Sequence, residues 1–320
     1  ARLYPENAAF LRQLRQTRYI RESILPGDIS SFNFKPEAFY RQAWTTQTMR
    51  ARGLFLNTLT NEIVIRAYDK FFNIGERRDT ELAALEQTMT FPVRAWVKEN
   101  GFLGLVGYDS AAGGLVIASK STTEGDYAAA FRREFLEQFR DRLPYITDYL
   151  RRHNVCLLFE VMLPRFDPHI IAYESDQLVL LDIVKRQVAY KAVDRQERER
   201  FAREIGANSK RLAAEFSSWR EFMTWFDRLH GMAYQWQGEW IEGFVIEDAG
   251  GYQVKVKLDY YTFWRQMRTA LEALRAGRRP STRPDCPDPA LAARVVAYMR
   301  QLPTEDLARM DIIALRRRFE

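Results

Sequence analysis

Between residues 93 and 98, Val93, Ala95 and Val97 alternate with Arg94, Trp96 and Lys98, a period of two that predicts a strand. Asn100-Gly101 follows, the strongest short-range hairpin signal, and Leu103, Leu105 and Val106 start the expected return strand. The same reading predicts strands at "EIVIRAYDKFF", "AAGGLVIASKS", "VCLLFEVML" and "DQLVLLDIVK". It also predicts a strand from near Gly53, although Leu54 and Leu56 alternate imperfectly with their neighbours. "IEGFVIED" and "GYQVKVKLDYY" read as two further strands joined by Gly250-Gly251.

Helical spacing marks other stretches. Residues 5–22 read as one basic helix, and "RRDTELAALEQTM" as a short helix capped by Asp79 or Thr80. "DYAAAFRREFLEQFRDRLPYITDYLRRH" is a long helical region broken near Pro144. "RQERERFAREIGANSKRLAAEF" reads as a helical connection, and "SSWREFMTWFDRLHG" as a helix with an apolar stripe, stopped by Gly231. From Thr262 the pattern is helical. "RAGRRPSTRPDCPDP" reads as a linker, and "ALAARVVAYMRQL" and "TEDLARMDIIALRRRF" as terminal helices. Strands dominate the middle and helices interrupt and end the chain. The expected fold class is α+β with mostly antiparallel pairing and a small helical C-terminal region. The strand–helix alternation of a dinucleotide-binding fold is missing.

Composition narrows the class. The chain has 320 residues, 47% of them hydrophobic, which suffices for a sizeable core in one large domain or two ordinary ones. The net charge is +6 and arginine outnumbers lysine, which tilts the chain toward a phosphate-bearing partner. Two cysteines, Cys156 in an apolar run and Cys286 in a proline-rich loop, exclude a disulfide scaffold and a zinc-finger site. With no signal-peptide pattern and no membrane-length apolar run, the expectation is a soluble cytoplasmic protein, or a nuclear one if the source is eukaryotic, with no membrane contact. A Walker-type loop, a nucleophilic serine elbow and a histidine-based metal cluster are all absent from the sequence.

What remains is a set of charged residues on predicted strands. Lys98 ends an apolar run, and a lysine becomes a nucleophile when its neutral amine is accessible. Glu160 interrupts an apolar strand, where a carboxylate needs a partner or a ligand. Glu242 opens a strand beside a glycine. Lys255 and Lys257, two apart, share one strand face and repel unless an anion lies between them. Each feature alone is compatible with a solvated strand face or a hairpin end. Together they describe a nucleotidyltransferase forming a lysine–AMP adduct, in which the amine attacks an α-phosphorus and cations neutralise the phosphates.

At this point the sequence resembles the ATP-dependent RNA ligases of the phage RNA ligase 1 and fungal tRNA ligase type. "KENG" at Lys98 is similar to the family's motif I, "LLFEV" to motif III, "EGFVI" to motif IV and "KVK" to motif V. "SKST" at 119–122 is similar to motif Ia. "ARGLF" at 51–55, "YDKFFNIGE" at 68–76 and "FDPHIIAY" also resemble members of the family. The resemblance covers roughly residues 40–265, and implies a DNA/RNA ligase-like nucleotidyltransferase domain over 1–265 with a helical C-terminal domain over 266–320.

The resemblance further implies three steps: Lys98 takes AMP from ATP, passes it to an RNA 5′-phosphate, and a 3′-hydroxyl then displaces AMP and seals the strand. It implies that Arg52, Lys70 and Lys120 contact phosphates and that Glu160 meets ribose or a metal-bound water. Glu242 would engage magnesium or manganese. Lys255 would contact the α-phosphate and Lys257 the leaving pyrophosphate, with Gly101 and Tyr261 in the same site. A pKa of Lys98 depressed by Lys255 and Lys257, below a free lysine's value of about 10.4, is a further expectation. The implied partners are RNA ends, broken tRNA among them, and an end-healing kinase or phosphatase in trans, because no such module is visible. A monomer is expected.

Two rivals stay open at this stage. A DNA ligase or a capping-type guanylyltransferase also carries a lysine with glycine three residues on, although "ARGLF" and "YDKFFNIGE" argue against both. A catalytically silent RNA-binding module would bind RNA with no adduct. The basic clusters Arg132-Arg133, Arg151-Arg152 and Arg316–Arg318 could read an RNA end or be solvated faces.

Overall fold

Alternation at 93–98 does produce a strand, but its partners are distant in sequence. A computed structural model describes residues 3–281 and 283–320; Thr282, within the expected linker, lies outside the described residues. The strands are β1 (Ile20–Leu25), β2 (Ile29–Phe34), β3 (Leu54–Asn57), β4 (Ile63–Arg66), β5 (Val93–Lys98), β6 (Phe102–Asp109) and β7 (Gly114–Ala118). They continue with β8 (Val155–Met162), β9 (Gln177–Lys185), β10 (Asn208–Ser209), β11 (Leu212–Phe216), β12 (Gly243–Glu247) and β13 (Gln253–Lys257). They form three sheets ordered β1-β2-β3-β4, β10-β9-β8-β6-β7 and β11-β5-β12-β13. All pairings among the described strands are antiparallel except β9 with β10, as expected of the α+β class.

The chain divides into two compact units. The first comprises residues up to Phe71, Phe102–Met162 and Gln177–Lys210; the second comprises Phe72–Gly101, Leu163–Asp176 and Arg211–Glu320. In the first, β1–β4 cover one core through Phe32, Leu54, Leu56 and Ile63, which pack on Phe10, Leu11 and Leu14 of the helix Ala8–Gln16. Phe55, Val64 and Ile65 join Leu105, Cys156 and Leu158 in a second core. Cys156 is a buried thiol, as its apolar surroundings predict.

In the second unit, Val93, Ala95 and Val97 of β5 join Phe244 and Ile246 of β12 and Val254 of β13 in one core beneath the sheet. The helix Asp259–Arg275 packs through Trp264, Met267 and Leu271 against Val295, Met299 and Leu315 of the terminal helices. Residue 265 lies within this helix, and Arg316, from one of the basic clusters, is buried and donates to the Ile170 carbonyl at 3.0 Å. Arg151 and Arg152 each pair with Asp148. Among the described residues no helix is long and apolar enough to cross a membrane.

Several local expectations need correction. Residues 5–22 are not one helix: the helix ends at Gln16, Thr17 is extended, and Ile20–Leu25 is strand β1. Its pairing along the whole of β2 outweighs a weak helical preference. The helix near 80 spans Leu82–Thr88, with Glu81 at its N-cap position and no side-chain cap, while Asp79 and Thr80 lie in a short 3₁₀ turn. The connection after Asp194 is helical only to Ile205; Gly206 in the left-handed region ends it, and Leu212–Phe216 pairs with β5. The terminal stretch 304–318 is two helices, Thr304–Arg309 and Ile312–Arg318, because Asp311 caps the second. The largest correction concerns Asn100-Gly101. β5 pairs with β11 and β12, β6 pairs with β7 and β8, and no hairpin joins β5 to β6.

Candidate active site

The register of the β11-β5-β12-β13 sheet builds a row of charge. Gly243 faces Lys98 on β5 and Lys257 on β13, and residues in register on adjacent strands project from the same face. Val245 likewise faces Trp96 and Lys255. Two rows, Lys98–Gly243–Lys257 and Trp96–Val245–Lys255, therefore lie on the face opposite the core. Glycine at 243 is a packing requirement: a Cβ there would stand 1.9 Å from the Val256 carbonyl oxygen. With no side chain there, the β12 and β13 backbones approach closely between the two lysines.

Glu242 completes the group. It is buried, and its Oε2 lies 2.8 Å from Lys98 Nζ, whose side chain is 25% exposed. Burial pushes the Glu242 carboxyl up, but Lys98, Lys257 and Lys255 together outweigh it and hold the group below the usual carboxylate range. Burial is the main influence lowering Lys257, with Arg265 and Lys98 pushing the same way and Glu242 opposing. Tyr261, buried and carrying Lys257 Nζ 5.8 Å from its ring centroid, is pushed up to about 12 by burial and by the charge of Glu242. Besides the expected cations Lys255 and Lys257, a carboxylate contacts Lys98 directly.

"KENG" is held by buried polar contacts rather than by a turn. Asn100 Nδ2 donates to Glu242 Oε1 at 3.1 Å, its Oδ1 accepts from Ile171 N, and its backbone N–H donates to the Tyr173 hydroxyl. That hydroxyl donates to Glu99, which also pairs with Arg211 at 2.8 Å. Gly101 follows, half-buried, at the end of the Phe72–Gly101 segment of this unit. The segment "FFNIGE" adds to β13: Phe72 accepts from Lys255 N and the Lys255 carbonyl accepts from Ile74 N. Sequence reasoning missed Gly243, Asn100 and Tyr173. Gly243 had a signal, a glycine inside a strand pattern. Asn100 had one too, but the Asn-Gly pair was read as a turn.

The remaining expected residues lie in the first unit. Arg52 stands between a capped helix, Thr46–Arg50, and β3; it is half-buried and its pKa is lowered by burial. Lys120 follows β7. Its surface is exposed, yet surrounding protein crowds it and, with the charge of Arg52, lowers its pKa. Lys70 is buried, with Nζ 3.5 Å from the Phe71 carbonyl oxygen and 5.8 Å from the Trp44 ring centroid. Glu160 is half-buried on β8, in register with Leu103 and Val179. Asn33 on β2, which sequence reasoning did not single out, is buried, and neither polar atom of its amide has a hydrogen-bond partner. Among the described residues, no three His, Cys, Asp or Glu side chains converge to cage a metal ion.

Within the second unit, then, a partly accessible amine touches a buried carboxylate and shares its strand face with two further cations, a surface suited to an anion. Comparison with known proteins agrees. The RNA ligase family model matches residues 50–261, more than half of the chain. A tRNA ligase of Candida albicans is 26% identical over 271 residues, 72% of this chain and 32% of its own length. TRNA ligase 1 of Schizosaccharomyces pombe is 25% identical over 263 residues, 74% of this chain and 33% of its own. The chain thus spans about a third of the length of these curated relatives. An archaeal ATP-dependent RNA ligase structure matches 94% of this chain and 74% of its own with a TM-score of 0.57 at 15% identity. A putative ATP-dependent DNA ligase from Aquifex aeolicus matches 93% of this chain and 73% of its own, with a TM-score of 0.54 at 13% identity. At such identities these two likenesses establish the ligase nucleotidyltransferase fold and no more. The family match itself covers the row of lysines, the buried Glu242 and the strands that align them: the chain belongs to the RNA ligase family.

Proposed function

We propose that this chain is an ATP-dependent RNA ligase working through a lysyl-AMP intermediate. The observation that carries the reading is the register that sets Lys98 and Lys257 on either side of Gly243, with Glu242 2.8 Å from the Lys98 amine. In the first step Lys98 Nζ, having given up a proton, attacks the α-phosphorus of ATP. A P–N bond forms, the bond to the β-phosphate oxygen breaks, and pyrophosphate leaves. Glu242 is the base in contact with that amine, and Lys255 and Lys257 offset charge on the α-phosphate and on the departing pyrophosphate. In the second step an RNA 5′-phosphate oxygen attacks the same phosphorus, the P–N bond breaks, and Lys98 recovers its proton. In the third, an RNA 3′-hydroxyl attacks the 5′-phosphorus, losing its proton; a phosphodiester forms and AMP leaves.

Arg52, Lys70 and Lys120 would hold triphosphate or RNA phosphate. Glu160 would hold a ribose hydroxyl, Gly101 would let backbone approach the nucleotide, and Tyr261 would pack beside Lys257. A divalent cation, magnesium or manganese, fits as an ion carried on the phosphates rather than in a protein cage. No three ligating side chains converge among the described residues, and both Glu242 oxygens already face Lys98 and Asn100. Glu242 would hold its hydration water, and it would neutralise phosphate charge. The curated relatives' names favour broken tRNA among the possible RNA ends.

The test is incubation with α-labelled ATP and magnesium, after stripping any bound AMP with pyrophosphate. Label should survive denaturation on the wild type and be absent from Lys98→Ala, GTP should give none, and a labelled protein should join 5′-phosphate to 3′-hydroxyl RNA. Absence of label on both proteins would sink the reading in favour of a silent RNA-binding module.

A further inference from the structure

The first unit carries an aromatic surface that its cores do not use. "FKPEAFYRQAW", residues 34–44, forms the five-residue helix Pro36–Tyr40 and a turn. Ala38 is fully buried and anchors the helix, yet the two aromatics beside it point outward: Phe39 is 47% exposed and Tyr40 79%. The rings form a chain running inward. Tyr40 meets Phe39 edge-on with centroids 6.0 Å apart, Phe39 meets Trp44 at 6.5 Å, and Trp44 meets Phe34 at 4.9 Å. Cations stand at the inner end, with Lys70 Nζ 5.8 Å from the Trp44 centroid and Lys120 Nζ 5.9 Å from that of Phe34. Lys35 and Arg41 flank the helix, against one acid, Glu37.

The backbone under the platform is tied by its own hydrogen bonds. Gln42 sits in the left-handed region at φ 52°, where a residue with a side chain is strained. It is held there because both its backbone N–H and its Nε2 donate to the Phe39 carbonyl, at 3.3 and 2.9 Å. Ala43 N donates to the Ala38 carbonyl at 2.9 Å, and Thr48 Oγ1 donates to the Ala43 carbonyl at 2.8 Å. A backbone tied in this way leaves less to be ordered when the exposed rings meet a ligand.

We propose that Phe39 and Tyr40 form a stacking platform for unpaired nucleotides of the RNA substrate. Flat exposed rings beside phosphate-binding cations are what single-stranded RNA requires, since every base has a π-face and every linkage a charge. A duplex keeps its bases stacked on one another and presents no free face to these rings. The inference rests on the RNA ligase reading, because Lys70 and Lys120 at the inner end are phosphate contacts only under it.

The experiment uses the whole chain and a fluorescein-labelled, unstructured 5′-phosphorylated oligoribonucleotide, followed by anisotropy across a salt series. The double variant Phe39→Ala/Tyr40→Ala should bind about tenfold or more weakly, with the salt slope unchanged. Phe39→Tyr/Tyr40→Phe should bind as the wild type does. Lys35→Ala/Arg41→Ala should flatten the salt slope by about 0.7 per lost phosphate contact. Labelling of the protein by α-labelled ATP should be the same in all of them. Undiminished affinity in the alanine double variant would overturn the platform, whether or not ATP labels the protein. So would a double variant whose only change is weaker self-association in sedimentation, which would make this face a protein contact. If ATP fails to label even the wild type, the ligase reading falls separately, and the affinities alone decide the platform.

Discussion

Each unit contains a buried carboxylate that holds a lysine, and the two differ in access. In the first unit Asp182 accepts from Lys210 at 3.1 Å, from Arg198 at 3.4 Å and from the Tyr68 hydroxyl. The side chains of Lys210 and Arg198 are 4% and 3% exposed. Lys210 also ties its segment to β9 through its own backbone N–H, which donates to Leu180. Everything there faces inward. In the second unit Glu242 is nearly as buried, but a quarter of the Lys98 side chain reaches solvent, and Lys255 and Lys257 add positive charge on the same face. A buried lysine–carboxylate pair is therefore no signature of chemistry by itself. Access to the amine is what distinguishes the proposed nucleophile Lys98 from the structural tie at Lys210.

The sharpest way to break this comparison is to remove each lysine. Lys98→Ala should lower retained ATP label by at least about a thousandfold, and should also lower stability by about 1–3 kcal/mol because the buried Glu242 loses its ion-pair partner. Lys210→Ala should keep the label-forming chemistry but cost about 3 kcal/mol in urea unfolding, because the buried Asp182 loses one of its two cations. If Lys210→Ala abolished labelling in protein that is still folded, the distinction would fail.

Next in size is Gly243→Ala. The added methyl has no room against the Val256 carbonyl and should force β12 from β13, costing about 3 kcal/mol or more and separating Lys98 from Lys257. Unchanged melting and labelling would show that the row is not set by that glycine.

Glu242→Gln keeps shape and removes charge. Labelling should slow by about 10- to 100-fold. The native Glu242 pKa lies below its unfolded value, so its contribution is fully present above about pH 4.3 and is lost as pH falls through the lowered native value. The stability gap between wild type and Glu242→Gln should accordingly close in acid; a gap independent of pH would contradict the ion pair.

The smallest effect is expected at Lys257. Its charged form is disfavoured by burial and by neighbouring cations, so Lys257→Met should stabilise the fold at neutral pH by about 0.5 kcal/mol, solvent screening keeping the gain small. The gain should fade as pH rises toward about 10.4, where the wild-type lysine also becomes neutral. Labelling should slow, so that stability and activity move in opposite directions; a destabilised variant would argue that Lys257 is a structural residue.

Local signals carried much of the fold. The β12–β13 hairpin was legible because Gly251 adopts φ 89° and the Asp248 carboxylate accepts from Gly250 N and Tyr252 N, all within five residues. The break before Pro144 was legible for a similar reason: proline is accepted in the first turn of the helix Leu143–His153. Strands β1 and β11 were not, because "YIRESIL" and "RLAAEF" carry charge and alanine at helical spacing and become strands only when a neighbouring strand completes their hydrogen bonds. Asn100-Gly101 misled for the opposite reason. Its local preference for a turn is real, but buried bonds from Asn100 to Glu242 and Ile171 outweigh it.

By itself, the sequence determined which residue types could react and in what order they come: Lys98, Glu160, Glu242, Lys255 and Lys257 on strand patterns, in a chain that resembles RNA ligases. Periodicity two also placed Lys255 and Lys257 on one face, since that follows from strand geometry alone. Only the tertiary structure decided that Lys98 joins them across Gly243, that Glu242 turns to the amine, and that Asn100 holds the other side of that carboxylate. Register between strands more than a hundred residues apart depends on which cores are buried beneath them and which side chains leave room between them, and neither is encoded in any local stretch of the chain.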